Sequence, residues 1–237
     1  LTDQRSILIT GASRGLGFEL AKLCLAKGWL TFPLVRDTTA VSPLCERSRH
    51  CYPIVADVRF DDCSAKIAAA VSGRTTRLDV LVNNAGSSGK ARSIDEVTSQ
   101  ELLELLQVHC LGAVRCTLAA LPWLRAAKGA KIVNISSRLA SLARNAGGEF
   151  APREFSYSYR IAKAAQNMFT LCLRAELKEQ GIAVYAVHPG GLRTAMATAY
   201  ADTDVDVAAA RLLDFIEHAD ESLTGRLIDL GKGDMPW

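Results

Sequence analysis

Tyr159 and Lys163 stand four positions apart in Tyr159-Arg160-Ile161-Ala162-Lys163, a spacing that stacks both side chains on one face of a helix. A free phenol titrates near about 10, and a neighbouring ammonium lowers that value by roughly one to three units. The pair is a candidate acid/base. Taken alone, the same spacing also describes a packed aromatic beside a solvated lysine, so the other segments must decide.

Thr10-Gly11-Ala12-Ser13-Arg14-Gly15-Leu16-Gly17 follows an apolar run and opens a helix-period segment. Glycines there let the backbone turn tightly against a pyrophosphate, whose charge the free N–H groups of a helix start stabilise. A glycine-rich turn without a nucleotide is the alternative. The second apolar run ends Leu34-Val35-Arg36-Asp37. Arg36, helped by Arg14, could clamp a 2′-phosphate and select NADP(H); Asp37 is the competing signal for NAD(H), because a carboxylate there would hold a ribose 2′-hydroxyl.

Asp57 and Val58 follow the third run and could meet an adenine edge, or Asp57 could simply cap a turn. Asn83-Asn84-Ala85-Gly86 offers amides that either brace adjacent strands or contact the cofactor. Ser136-Ser137 follows the fifth run, where a hydroxyl can hold a carbonyl oxygen in line with the Tyr159 phenol. His188 precedes Pro189 and reads as structural, since a residue before proline is held extended. Thr194 lies where it could bond a carboxamide.

These groups need a scaffold. Short β-branched or Leu-rich runs over 7–10, 30–35, 52–56, 78–82, 131–135, 183–187 and 226–228 alternate with helix-period segments over 16–27, 63–71, 102–124, 159–177 and 207–216. Strict alternation predicts a single α/β domain over 1–237, a Rossmann-type doubly wound parallel sheet with helices on both faces and ligands beyond the carboxyl ends of the strands. Pro33 inside the second run cannot donate to a ladder and predicts a bulge.

The 237 residues are 49% hydrophobic, with a net charge of +3 from interspersed charges. No basic stripe argues for nucleic acid and no long apolar run for a membrane. Seven cysteines without a Cys-x-x-Cys or a metal-like cluster, and no signal-peptide pattern, predict reduced thiols, no metal site and a cytoplasmic chain.

In order, Thr10-Gly-x-x-x-Gly-x-Gly17, Asn83-Asn-Ala-Gly86, Ser137, Tyr159-x-x-x-Lys163 and Pro189-Gly190 resemble the short-chain dehydrogenase/reductase family along the whole chain. The ending Gly225-Arg226-Leu227-Ile228-Asp229 with Met235-Pro236-Trp237 is similar to its C-factor and sniffer-like carbonyl reductases. The resemblance implies hydride transfer from NADPH to a small ketone, aldehyde, quinone or dicarbonyl, with Tyr159 as proton donor, Ser137 orienting the oxygen and Lys163 holding the nicotinamide ribose. Carried over residue by residue, it implies that Gly11, Ser13, Arg14, Leu16 and Gly17 line the phosphates and Arg36 meets the 2′-phosphate. Asp57 and Val58 would face the adenine, Asn84, Ala85 and Gly86 the adenosine side, and Pro189, Leu192 and Thr194 the nicotinamide.

Two other readings stay open, a pteridine reductase and an NADP-binding sensor without chemistry. The resemblance also implies a homodimer or tetramer through the long helices, with a monomer as the alternative.

Three departures bear on the site. His109 stands where many relatives have an asparagine that completes a proton relay, and it could titrate near about 6.5. Ala162 replaces a frequent serine. Ser137 and Tyr159 are 22 positions apart, and the extra residues, among them Arg144, Asn145, Gly147 and Gly148, could wall the substrate pocket or hinder helix pairing between subunits. A short segment from Ala195 to about Asp204 predicts an open site with broad substrate use.

Overall fold

The computed structural model describes residues 4–151, 155–194 and 201–237. Eight strands form one sheet: β1 (Ser6–Thr10), β2 (Leu30–Val35), β3 (Ile54–Val55), β4 (Val80–Asn83), β5 (Lys131–Ile135), β6 (Ala183–His188), β7 (Leu227–Asp229) and β8 (Gly233–Met235). Their order is β3-β2-β1-β4-β5-β6-β7-β8. All neighbours are parallel except β7 and β8, which pair antiparallel. The doubly wound sheet expected from the alternation is present, and the antiparallel β8 at one edge is an addition to it.

Alternate residues of each strand feed opposite cores. Ile7 and Ile9 of β1, with Val133, Tyr185 and Val187, pack under helices α1 (Gly15–Ala26) and α8 (Val205–His218). Leu8, Leu81, Ile132 and Val184 face the other way, beneath α3 (Asp62–Ser72), α5 (Gly112–Ala126) and α7 (Tyr157–Leu177). Three further helices complete the chain: the short α2 (Ser42–Glu46) and α6 (Leu142–Ala146), and α4 (Ser99–Leu106), which leads into α5.

Pro33 makes no bulge. The β1–β2 register runs unbroken from Ser6↔Leu30 to Thr10↔Leu34 with Ile9 opposite Pro33. The cost falls on the other side, where β2 meets the edge strand β3 only at Leu34↔Ile54 and Val35↔Val55, and upstream at the isolated bridge Thr31↔Cys51. Proline removes one donor, and an edge pairing absorbs the gap.

The helix expected over 102–124 is two α-helices joined by a π-helical turn, Gln107–Leu111. Such turns admit an extra residue into the helical ladder and concentrate at functional sites. The whole run Ser99–Ala126 is long and apolar enough to cross a membrane, with a hydropathy of 1.3, contrary to the sequence expectation. One face nevertheless packs in the core through Cys116, Ala120 and Leu124.

The cysteines also depart from expectation. Cys45 and Cys51 form a disulfide, so the thiols are not uniformly reduced as expected, whereas Cys24, Cys63, Cys110, Cys116 and Cys172 are free thiols. The two bonded residues are only six positions apart, where the turn after α2 returns the chain to the sheet edge.

Candidate active site

A cleft of about 1140 Å³ runs along the carboxyl ends of the strands. At its first end, Gly11 adopts φ 68°, and a Cβ there would lie 2.7 Å from the Ala85 backbone. Only glycine permits both the left-handed conformation and the approach. Gly11, Ser13, Arg14, Gly15 and Leu16 line the cleft, whereas Gly17 does not. A Cβ on Gly17 would meet the Asn84 amide at 2.6 Å and the Gly11 carbonyl at 2.7 Å, so its task is helix-to-turn packing rather than ligand contact. Gly15 is the lining glycine that the residue-by-residue transfer left out.

Asn83 and Asn84 are both braces. The Asn84 amide donates to the carbonyls of Thr10 (2.9 Å) and Gly11 (3.1 Å), fixing the glycine turn to β4. Asn83 donates to Asn134 at 2.8 Å and to Thr117 at 3.3 Å. Asn84, Ala85 and Gly86 still line the cleft.

Arg14 and Arg36 line the same end and hydrogen-bond no described residue. Asp37 is turned to its own backbone: its carboxylate accepts from the Thr39 N–H at 2.9 Å and the Thr39 hydroxyl at 2.7 Å, and those bonds hold its pKa below the ordinary carboxylate value. The competing carboxylate is thereby occupied. Asp57 and Val58 are in the wall, with Asp57 paired to Arg59 at 2.7 Å and accepting from the Arg59 N–H at 3.0 Å. The Arg59 bonds lower its pKa.

At the centre, Ser156 caps α7 by accepting from the Tyr159 N–H at 3.2 Å. Two turns of helix then place Tyr159 and Lys163 as the spacing requires. Ser137, delivered by β5, lies beside the Tyr159 phenol and works to lower its pKa; its own hydroxyl accepts from the Leu139 N–H at 3.2 Å. Ser136 instead bonds Asn167 in the helix behind the sheet. Lys163 is 3% exposed and donates to the Ile135 carbonyl and to Gln166 (2.9 Å).

The expected depression of the phenol by Lys163 is absent. Burial raises the Tyr159 pKa above 10, opposed by the neighbouring Ser137, and burial brings the Lys163 ammonium down to about 7. Desolvation disfavours the charged form of each group and sets the direction of both shifts.

His109, from the π-helical turn, is 2% exposed. Its Nε2 lies 2.8 Å from the Ser87 carbonyl, while Nδ1 is buried without a partner. Burial, aided by Lys163, pushes its pKa well below 6.5, so the imidazole does not titrate near neutrality as the residue type suggests. Pro189, Leu192 and Thr194 line the wall opposite, joined by His188. The expectation of a short segment from Ala195 falls on 195–200, outside the described residues.

A family model described as "short chain dehydrogenase" matches residues 5–205. The chain belongs to that family. Its relatives include the "C-signal" of Myxococcus xanthus, 31% identical over 170 residues, 72% of this chain and 99% of that one. It spans about half the length of some other curated relatives that it matches. Among solved structures, "Carbonyl reductase Sniffer of D. melanogaster" is 30% identical with a TM-score of 0.89, covering 99% of this chain and 100% of its own. An NADPH-bound carbonyl reductase from chicken fatty liver is 27% identical with a TM-score of 0.87, each chain fully covered.

In this short-chain dehydrogenase the long connection between Ser137 and Tyr159 is a wall. Leu139 and Phe155 from its two ends line the cleft, and its middle is tied to the end of the sheet by Ser141 to the Pro236 carbonyl (2.7 Å) and the Ala143 N–H to the Trp237 carbonyl (2.7 Å). Arg138, Leu139 and Phe155 carried no motif and were not read from the sequence as site residues. The long helices also keep apolar side chains in the open, among them Leu118 at 64% and Met168 at 58% exposure, so the described part of the connection does not cover them.

Proposed function

We propose that this dehydrogenase is an NADPH-dependent oxidoreductase that reduces a carbonyl compound. The observation that carries the reading is the Tyr159 phenol beside the Ser137 hydroxyl in the cleft at the strand ends, with the Lys163 ammonium buried one helical turn behind it. NADPH, when bound, supplies the hydride. The glycine turn, with its close backbone approach at Gly11, and the free guanidinium groups of Arg14 and Arg36 suit the phosphates of that cofactor, and Asp37 does not compete for the 2′ position.

Ser137 donates its hydroxyl hydrogen to the carbonyl oxygen and fixes it beside the phenol. Tyr159 keeps its proton to high pH because it is buried, which suits a group whose task is to donate one. As the proton leaves, the phenolate that forms is stabilised by the Lys163 ammonium across a desolvated gap, where a charge acts more strongly than in water. His109 presses against the Tyr159 ring and limits its rotation.

The exposed stripe of Leu111, Leu118, Ile161 and Met168 on α5 and α7 and the turn before α5 suits a second copy of the chain, making a homodimer the working assembly.

The test is NADPH and NADH oxidation by purified protein over a panel of quinones, dicarbonyls, aldehydes and ketones, with Tyr159→Phe alongside. Turnover that prefers NADPH and drops by roughly 10²-fold or more in the variant is expected, from the size of general acid contributions. Cofactor binding without turnover on any carbonyl would overturn the reading in favour of a sensor.

A further inference from the structure

Beside Ser137, the cleft lining also includes Arg138, Leu139, Phe155, His188 and the Gly190-Gly191 turn. Arg138 is half-buried there, and its guanidinium makes no hydrogen bond or ion pair with any described residue. The two carboxylates in whose field it lies are already engaged. Glu149 takes both arms of Arg144. Asp202 accepts from the Gly191 N–H at 3.1 Å and the Thr203 hydroxyl at 2.8 Å.

His188 stands within the same field, 6% exposed, with Nδ1 wholly buried and bonded to none of the described residues. Burial holds its pKa at about 4, and Arg138 and Arg144 oppose the pull of Asp229 and Asp202. The imidazole is therefore uncharged at neutral pH and has one N–H to give.

A half-buried guanidinium without an anion leaves its fork of donors unused. The complement of that fork is a planar carboxylate, held by two parallel charge-assisted bonds. The field of Glu149 and Asp202 disfavours a doubly charged group such as a phosphate monoester, and a single negative charge fits better.

We propose that Arg138, with His188 beside it, binds a carboxylate carried by the substrate, so that the carbonyl reduced at Tyr159 belongs to an oxo acid. The proposal rests on the reductase reading and narrows its substrate class. It also turns the long connection after Ser137 into the part of the chain that sets specificity, since Arg138 and Leu139 begin it.

The experiment compares kcat/KM of the full chain with NADPH on oxo acids of two lengths and on their methyl esters, which keep the shape and lose the charge. An acid-to-ester preference of about tenfold or more is expected, as is its collapse toward unity in Arg138→Gln and partial return in Arg138→Lys, because a lysine keeps the charge without the fork. A ratio near unity in the unaltered protein, or a preference that Arg138→Gln leaves in place, overturns the carboxylate site while leaving the reductase intact. Should acids and esters both go unreduced, the reductase reading fails for this class of substrate. Calorimetry of a hydroxy acid and its methyl ester against the protein–NADP⁺ complex then decides the site by itself. Binding of the acid that Arg138→Gln abolishes supports it, and equal or absent binding of both overturns it.

Discussion

The His109 imidazole meets the Tyr159 ring edge-on, with centroids 5.3 Å apart and planes at 90°. The contact joins the π-helical turn to the proposed proton donor, and the bond from His109 to Ser87 anchors the ring from the other side. His109→Ala is expected to lower kcat by about fivefold, the scale of a lost aromatic contact of roughly 1 kcal/mol. Since the imidazole is uncharged at neutral pH, His109→Asn should leave the shape of the pH–rate profile between pH 6 and 8 unchanged. A shift of that profile would show that His109 titrates in the working range.

Lys163 supplies the pH dependence instead. Its ammonium has a pKa of about 7, so the cation that stabilises a Tyr159 phenolate is present below that value and fades above it. Carbonyl reduction should fall as pH rises through about 7, well before the phenol itself deprotonates. A rate that stays level to pH 9 in a stopped-flow single-turnover measurement would contradict this.

Arg36 and Asp37 are adjacent, yet only Arg36 faces the cleft. Arg36→Ala should raise KM for NADPH by roughly 10- to 100-fold, the worth of a charge-assisted phosphate contact, and should change KM for NADH little. Equal losses for both cofactors would mean that Arg36 acts on something other than a 2′-phosphate.

Acid should destabilise the fold through its buried imidazoles. In the unfolded chain a histidine takes a proton near about 6.5, whereas His188 in the folded chain waits until about 4, and His109 is likewise depressed. Between those values the unfolded chain binds more protons, so stability is full above about pH 6.5 and declines as pH falls toward 4. His188 alone accounts for on the order of 3 kcal/mol of that loss. Thermal unfolding at pH 7, 5.5 and 4.5 measures it, and His188→Asn should flatten the decline.

Leu118→Glu combined with Met168→Glu should turn a dimer into a monomer without unfolding it, because both side chains are exposed in the single chain. Light scattering after size exclusion reads the mass. A double variant that stays dimeric would place the interface elsewhere.

Local chemistry made much of this protein legible in its amino-acid order. The Gly11 turn is visible because a left-handed, crowded backbone admits only glycine. The Tyr159–Lys163 pair is visible because helical periodicity alone brings the two side chains to one face, and the alternating runs specify the sheet because each strand must bury residues on both sides. What only the tertiary structure decided are quantities that depend on the folded surroundings of each side chain. Whether Arg36 or Asp37 faces the cleft turns on the bonds that the Asp37 carboxylate accepts from Thr39. Gly17 and Asn84 proved to be braces because β1, β4 and α1 converge there. The direction of the Tyr159, Lys163 and His109 shifts follows from burial, which no spacing reveals. Arg138 was invisible as a site residue for the same reason: that its guanidinium meets no partner among the described residues is a property of the folded surroundings, where Arg144, Gly191 and Thr203 have already claimed two nearby carboxylates.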